Sequence, residues 1–258
     1  MVFAVSGLAL VGFLSRFSPS SLMASYQVTR TKTSTAVAAT AAIGTEQRAS
    51  RPHRVFCYGD SLTAGTSGFD LYPYAPYLEK QLPDDSARVG WIGLPGWTAA
   101  SMWEERDSPK VGLKAALERY TQEQQNTGPP VSLVIIMAGT NDMGFGYGAD
   151  GILDHILKLH QICFDMGVPR TLAIGIPPSD YQSMVPAAAE LAATVNEKLR
   201  AYCAEHSHTS TFVDFPFAFE RDGENWFPDG LHFTQRGYQV LGESLAPTVA
   251  RILSSLDA

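Results

Sequence analysis

FCYGDSLTAG, residues 56–65, runs from apolar side chains through a glycine and an acid to a serine, then into small residues. The apolar run VFCY (55–58) has no polar face, so it reads as a strand buried on both sides. The residues from Ser61 onward read as the start of a helix. A strand that passes directly into a helix is the building unit of a parallel α/β sheet. The serine at that junction has two readings. It is a helix N-cap beside Asp60, or it is a nucleophile whose own N–H points at a developing negative charge.

The same alternation continues along the chain. VGWIGL (89–94), LVIIM (133–137), TLAIGI (171–176) and TFVDF (211–215) are further apolar runs of strand length. Helical spacing lies between and after them. Leu113, Leu117 and Tyr120 share one face, as do Ile152, Ile156, Leu159 and Cys163, with Gly167 and Pro169 as the stop. Leu191, Val195, Leu199 and Tyr202 repeat the pattern after Pro186, and Tyr238, Leu241, Leu245 and Val249 predict a last helix. The expected architecture is an open, mostly parallel sheet of five strands with helices on both faces. Ligands in such sheets bind beyond the carboxyl ends of the strands, so the residues just past each run are the ones to inspect.

Past the second run, GLPGWTA places Gly96 in a turn before a helix beginning near Thr98, where a glycine can present its N–H to a ligand. Past the third run, Gly139-Thr140-Asn141-Asp142 offers a neutral amide; Asp142 reads as a turn or cap residue. Past the fifth, NWFPDGLHFTQRGY puts Asp229 three residues before His232. That spacing lets a carboxylate reach Nδ1, fix the tautomer and leave Nε2 for a serine hydroxyl. Each feature alone has a plain structural reading: a Pro-Gly turn, an Asx turn, an incidental histidine. Together, in order and at one predicted sheet edge, they are the nucleophile, base, orienting acid and oxyanion donors of acyl transfer.

GDSL, GLPGWT, GTND and DGLH resemble the four sequence blocks of the GDSL, or SGNH, hydrolases. The likeness runs from about Arg54 to the last helix. It implies a flavodoxin-like three-layer α/β/α sandwich and serine esterase or lipase chemistry without a cofactor or metal. It also implies Ser61, Asp229 and His232 as the triad, with the Ser61 and Gly96 N–H groups and the Asn141 side chain as the oxyanion hole. Leu62, Met143, Phe145, Tyr147, Trp226 and Phe227 are the candidate substrate-lining residues, with Leu62, Met143, Trp226 and Phe227 equally readable as ordinary core. The substrate class is a small-molecule, glycan or lipid ester. The size of the domain leans toward short acyl groups, such as acetyl groups on carbohydrate, or lysophospholipid. An acyltransferase using the same acyl-enzyme and a non-catalytic flavodoxin-like binding module are the alternatives.

Composition bounds these readings. The chain has 258 residues, 45% of them hydrophobic, and a net charge of −7. With no basic stripe, nucleic acid is not an expected partner. Cys57, Cys163 and Cys203 are far apart and form no CxxC pair or disulfide framework, so they read as small buried apolar residues. His206 and His208 lack a third ligand nearby, and His155 and His160 do not share a helix face. GFGYGADG (144–151) is either a flexible loop or a mobile rim that touches substrate through Phe145 and Tyr147. Residues 1–50 differ from the rest. They carry Arg16, Arg30, Lys32 and Arg48 against Glu46 alone, whereas the remainder holds 15 basic and 25 acidic residues. The apolar run at 2–14, too short to span a bilayer comfortably, precedes a Ser/Thr/Ala-rich stretch. Residues 1–50 are expected to be a targeting or disordered segment, secretory or organellar, with a cytoplasmic location as the alternative. Residues 51–258 are the expected catalytic domain, with no transmembrane span and an unspecified oligomeric state.

Overall fold

The computed structural model describes residues 25–27, 53–83, 86–122 and 130–258. The expected targeting segment lies outside these residues except for Ser25–Gln27 (β1), a short strand. The other strands are His53–Asp60 (β2), Thr66–Ser67 (β3), Asp70–Leu71 (β4), Ala87–Leu94 (β5), Val131–Met137 (β6), Arg170–Ile174 (β7) and Ser210–Val213 (β8). The helices are Ser61–Ala64 (α1), Tyr74–Gln81 (α2), Ala99–Glu104 (α3), Leu113–Gln122 (α4), Thr140–Gly144 (α5), Ala149–Asp165 (α6), Asp180–Met184 (α7), Pro186–Glu205 (α8) and Gln235–Ser254 (α9).

The main sheet has the order β1-β5-β2-β6-β7-β8. From β5 to β8 every neighbouring pair is parallel, and β1 adds antiparallel to β5 at the edge. The strands alternate between two cores. Val55 and Cys57 of β2, with Leu133 and Ile135 of β6, face the layer built by α2 and α9. Phe56 and Tyr58, with Val134 and Ile136, face the layer of α3, α4, α6 and α8. That two-sided burial is why these runs have no polar face, and each such side chain contributes about 1.5–3 kcal/mol. The result is a three-layer α/β/α sandwich.

The helical faces read from spacing are the core-facing ones, although in α8 Val195 and Leu199 are buried and Leu191 and Tyr202 only partly so. Ile152, Ile156, Leu159 and Cys163 of α6 are buried, as are Tyr238, Leu241, Leu245 and Val249 of α9. Two strands end earlier than their apolar runs. Beyond Ile174 the edge is completed by the Asn196 side chain, which accepts from the Ile176 N–H at 2.8 Å and donates to its carbonyl at 3.0 Å. Beyond Val213, Phe215 leaves the sheet and packs with Trp226 and Phe233.

The sheet order contains a switch point. From β2 the chain moves to β5 on one side, then crosses to β6 on the other. The crevice this opens lies at the carboxyl end of β2, directly before Ser61.

Candidate active site

The pairing register brings three loops together at that crevice. Asp60, the last residue of β2, pairs with Leu94, and Gly59 pairs with Met137. Ser61 follows Asp60, Gly96 lies two residues past Leu94, and Asn141 lies four past Met137.

Asp60, not Ser61, is the N-cap of α1: its Oδ1 accepts the Leu62 N–H at 2.9 Å. Ser61 therefore occupies the first helical turn, with its hydroxyl free for another partner. That partner is His232, whose Nε2 lies 2.9 Å from Ser61 Oγ. His232 Nδ1 lies 2.7 Å from Asp229 Oδ2. The other Asp229 oxygen accepts the backbone N–H groups of Leu231 and His232, each at 2.9 Å. With Nδ1 donating to the carboxylate, Nε2 is left to accept from the serine.

The loop carrying this pair is braced along its length. Phe227 N–H donates to the His232 carbonyl at 2.9 Å, Thr234 N–H to Asn225 at 3.0 Å, and Asp180 N–H to Gly230 at 2.8 Å. Trp226 and Phe233 form an isolated antiparallel bridge, and the Trp226 indole donates to the Ala218 carbonyl at 2.8 Å.

Electrostatics differ sharply between the two acids nearest Ser61. Burial pushes the Asp60 carboxyl up to about 7, although the Leu62 N–H and nearby His232 draw it down. Asp229 is only partly buried. That burial works to raise it, but the hydrogen bond and charge of His232, with two backbone N–H groups, outweigh burial and hold it below the usual carboxylate value.

The Asn141 side chain donates to the Trp97 carbonyl at 2.8 Å, which leaves its second amide hydrogen available. Gly96 sits at φ +80°. Asp142 is fully buried, and its Oδ2 accepts the Ala99 N–H, the first of α3, at 2.8 Å, beside the Thr98 N-cap, which accepts from Ser101. Burial raises the Asp142 carboxyl, with the Ala99 and Ala100 N–H groups opposing.

The expected substrate-lining residues divide. Phe145 and Tyr147 are exposed beyond Asn141, and Phe227 lies against Gly68. Leu62 and Trp226 are packed in the α2–α9 core, and Met143 is almost fully buried in the opposite one. Their position beside the motifs in sequence does not turn them toward the opening, because helix and bridge geometry point them inward. What spacing missed is the β3–β4 hairpin after α1; its signal was the short TSGFDL stretch with glycine at the turn.

A second hydroxyl–imidazole–carboxylate chain lies at the opposite end of the sheet. Ser132 Oγ is 3.0 Å from His53 Nδ1, and His53 Nε2 is 3.2 Å from Asp257. Ser132 lies inside β6, with no helix start behind it. Among the described residues, no group of three or more His, Cys, Asp or Glu side chains could hold a metal ion, and no helix is long and apolar enough to cross a membrane. All three cysteines are free and buried.

Fold and geometry together define an α/β/α protein with a serine–histidine–aspartate chain at the carboxyl end of its central strand. The chain belongs to the GDSL-like lipase/acylhydrolase family, whose model matches residues 57–240. Among solved structures, the chain is similar to a lipolytic protein of the G-D-S-L family from Veillonella parvula DSM 2008 (19% identity, TM-score 0.58, covering 77% of this chain and 99% of that one). It is similar to the native M. smegmatis aryl esterase (24%, TM-score 0.56, 78% and 99%). A Clostridium thermocellum family 3 carbohydrate esterase is a third neighbour (18%, TM-score 0.58, 80% and 100%). At these identities the likeness shows the fold. No curated protein matches the chain in sequence.

Proposed function

We propose that residues 51–258 form the catalytic domain of a serine ester hydrolase that cleaves a carboxylic ester through an acyl-enzyme. The observation that carries this reading is the continuous chain from Asp229 through His232 to the Ser61 hydroxyl, 2.7 and 2.9 Å at its two links. Ser61 Oγ attacks the acyl carbon while His232 Nε2 takes its proton, and Asp229 stabilises the imidazolium. Charge on the former carbonyl oxygen is received by the N–H groups of Ser61 and Gly96 and the Asn141 amide. His232 returns the proton to the leaving alcohol as the C–O bond breaks. Water, deprotonated by His232, then attacks the acyl-Ser61 ester, and the serine regains its proton. Gly96 and residues 144–148 are exposed, which supports water as the second acceptor.

The test is hydrolysis of p-nitrophenyl acetate, butyrate and octanoate, and of a peracetylated sugar, by the full chain beside Ser61→Ala. Ser61-dependent turnover is expected. No such turnover, together with no labelling of Ser61 by a fluorophosphonate, would overturn the reading in favour of a binding module.

A further inference from the structure

The segment from Asn141 to α6 folds back on Asp142. The N–H groups of Phe145 and Tyr147 both donate to the Asp142 carbonyl, at 3.1 and 3.4 Å. The Tyr147 side chain then lies along the first turns of α6. Its ring is 3.9 Å from where a Cβ on Gly151 would stand, and it meets the His155 ring edge-on, with centroids 5.8 Å apart and planes at 82°. Positions 151 and 155 are one turn apart and share a helix face, so Tyr147 rests on the face that carries His155.

Two atoms behind this contact are unsatisfied. Asp142 Oδ2 accepts the Ala99 N–H, but Asp142 Oδ1 is buried without a hydrogen-bond partner among the described residues. His155 Nδ1 is buried and unpartnered in the same way. Buried polar atoms left alone are costly, and the two are complementary: a carboxylate oxygen accepts, and an imidazole Nδ1 can donate. They also act on one another. Burial raises the Asp142 carboxyl, the Ala99 and Ala100 N–H groups oppose, and charge on His155 is among the influences that draw it down. The helix that carries His155, α6, packs against α3, whose first N–H Asp142 holds.

We propose that His155 is a positioning residue for the oxyanion site, its Nδ1–H donating to Asp142 Oδ1 and so fixing where Asn141 stands relative to Gly96. Asp142 then has both oxygens engaged, one on α3 and one on α6, and the segment carrying Asn141 is held between two helices. His155 acts through Asp142 and not on the ester. The proposal rests on the ester-hydrolase reading for the role of Asn141, but the histidine–aspartate bond is independent of turnover.

Two substitutions separate the donor from the ring. His155→Phe keeps an aromatic edge for Tyr147 and removes the donor, whereas His155→Asn removes the ring and keeps an amide N–H near the Nδ1 position. His155→Phe should lower kcat on p-nitrophenyl acetate roughly tenfold with little change in KM. His155→Asn should recover most of that loss, and adding His155→Phe to Asp142→Ala should cost no more than about twofold further. Wild-type kcat in His155→Phe, a loss in His155→Asn as large as in His155→Phe, or additive losses with Asp142→Ala would each overturn the proposal and leave the imidazole as a shelf for Tyr147.

The bond itself is read without activity, from long-range ¹H–¹⁵N correlation spectra of the histidine-labelled full chain at about pH 8, above the ordinary histidine range. Either His155 variant identifies the resonance. The wild type should hold a proton on His155 Nδ1, and Asp142→Ala should lose that preference. The same tautomer in both proteins would overturn the proposal. So would a tautomer that follows Thr140→Val instead, since the Thr140 hydroxyl is also buried and unpartnered. The Nδ1–H signature without Ser61-dependent turnover removes the ester reading and leaves the bond, while turnover without the signature does the reverse.

Discussion

Asp142 and Ala99 are 43 residues apart in sequence, yet the Asp142 carboxylate holds the Ala99 N–H at 2.8 Å. The bond ties the segment that carries Asn141 to the helix start that follows Gly96. Two of the three oxyanion donors of the proposed mechanism are thus spaced by one buried acid. Asp142→Ala should lower kcat by roughly 10–100-fold with a smaller change in KM, and should cost about 1–3 kcal/mol of stability from the unpaired N–H. Asn141→Ala, which removes a donor outright, should cost about 10²–10³ in kcat. Steady-state kinetics beside urea denaturation separates the two effects.

Ser61→Ala should abolish esterase activity, a loss on the order of 10³-fold or more. Ser132→Ala is the demanding control, because Ser132 also faces a histidine backed by an aspartate. It should retain near wild-type rates. An equal loss at both positions would mean that activity tracks integrity of the sheet and not the nucleophile.

Two buried groups pull stability in opposite directions with pH. Asp60 is raised from the ordinary 3.8 to about 7 by burial, so the folded chain keeps a proton there that the unfolded chain releases. Its contribution is full below about pH 4 and lost as pH rises through 7. His160, fully buried with Nδ1 2.8 Å from Thr171 Oγ1, is lowered from 6.5 to about 4. Its contribution is present above about pH 6.5 and lost as pH falls through 4. Asp60→Asn keeps an acceptor for the Leu62 N–H and removes only the first effect. Relative to wild type, it should be more stable at pH 8 than at pH 4.5, as melting temperatures at the two values would report.

Two glycines near Ser61 should respond differently to alanine. A Cβ on Gly93 would lie 2.0 Å from the Ala64 backbone nitrogen, so the strand and α1 must part. Gly93→Ala should cost about 3 kcal/mol and take activity with it. A Cβ on Gly96 meets nothing within 4 Å, and only its φ of +80° resists. Gly96→Ala should cost about 1–2 kcal/mol. Guanidinium unfolding midpoints for the pair measure the contrast.

The strands and long helices were legible because each repeats its period over enough residues to declare two buried faces or one. The unbroken apolar runs of β2 and β6 leave no face for water, and the i, i+3, i+4 spacing of α6 and α9 leaves little choice of facing. The order of the motif blocks also carried the crevice, since a parallel sheet gathers its strand ends. The exact strand ends were not legible, because Asn196 takes over the pairing of Ile176 from a distant helix. Nor was the inward turn of Leu62 and Trp226, two apolar residues whose facing depends on tertiary contacts and not on their distance from a motif. Asp142 was read as a turn or cap residue, but the helix start it binds lies in another block. The N-terminal pairing of Ser25–Gln27 with β5 had no sequence signal of its own.

The Ser132–His53–Asp257 chain bears on how active protein would be counted. A reagent that phosphonylates a hydroxyl builds charge on its phosphoryl oxygen as it reacts, and that charge needs donors aimed at it in advance. Ser132, inside a strand, has no helix start to supply them. Labelling by a fluorophosphonate should therefore saturate at one equivalent per chain, so that its end point gives the molar fraction of competent enzyme in a preparation directly.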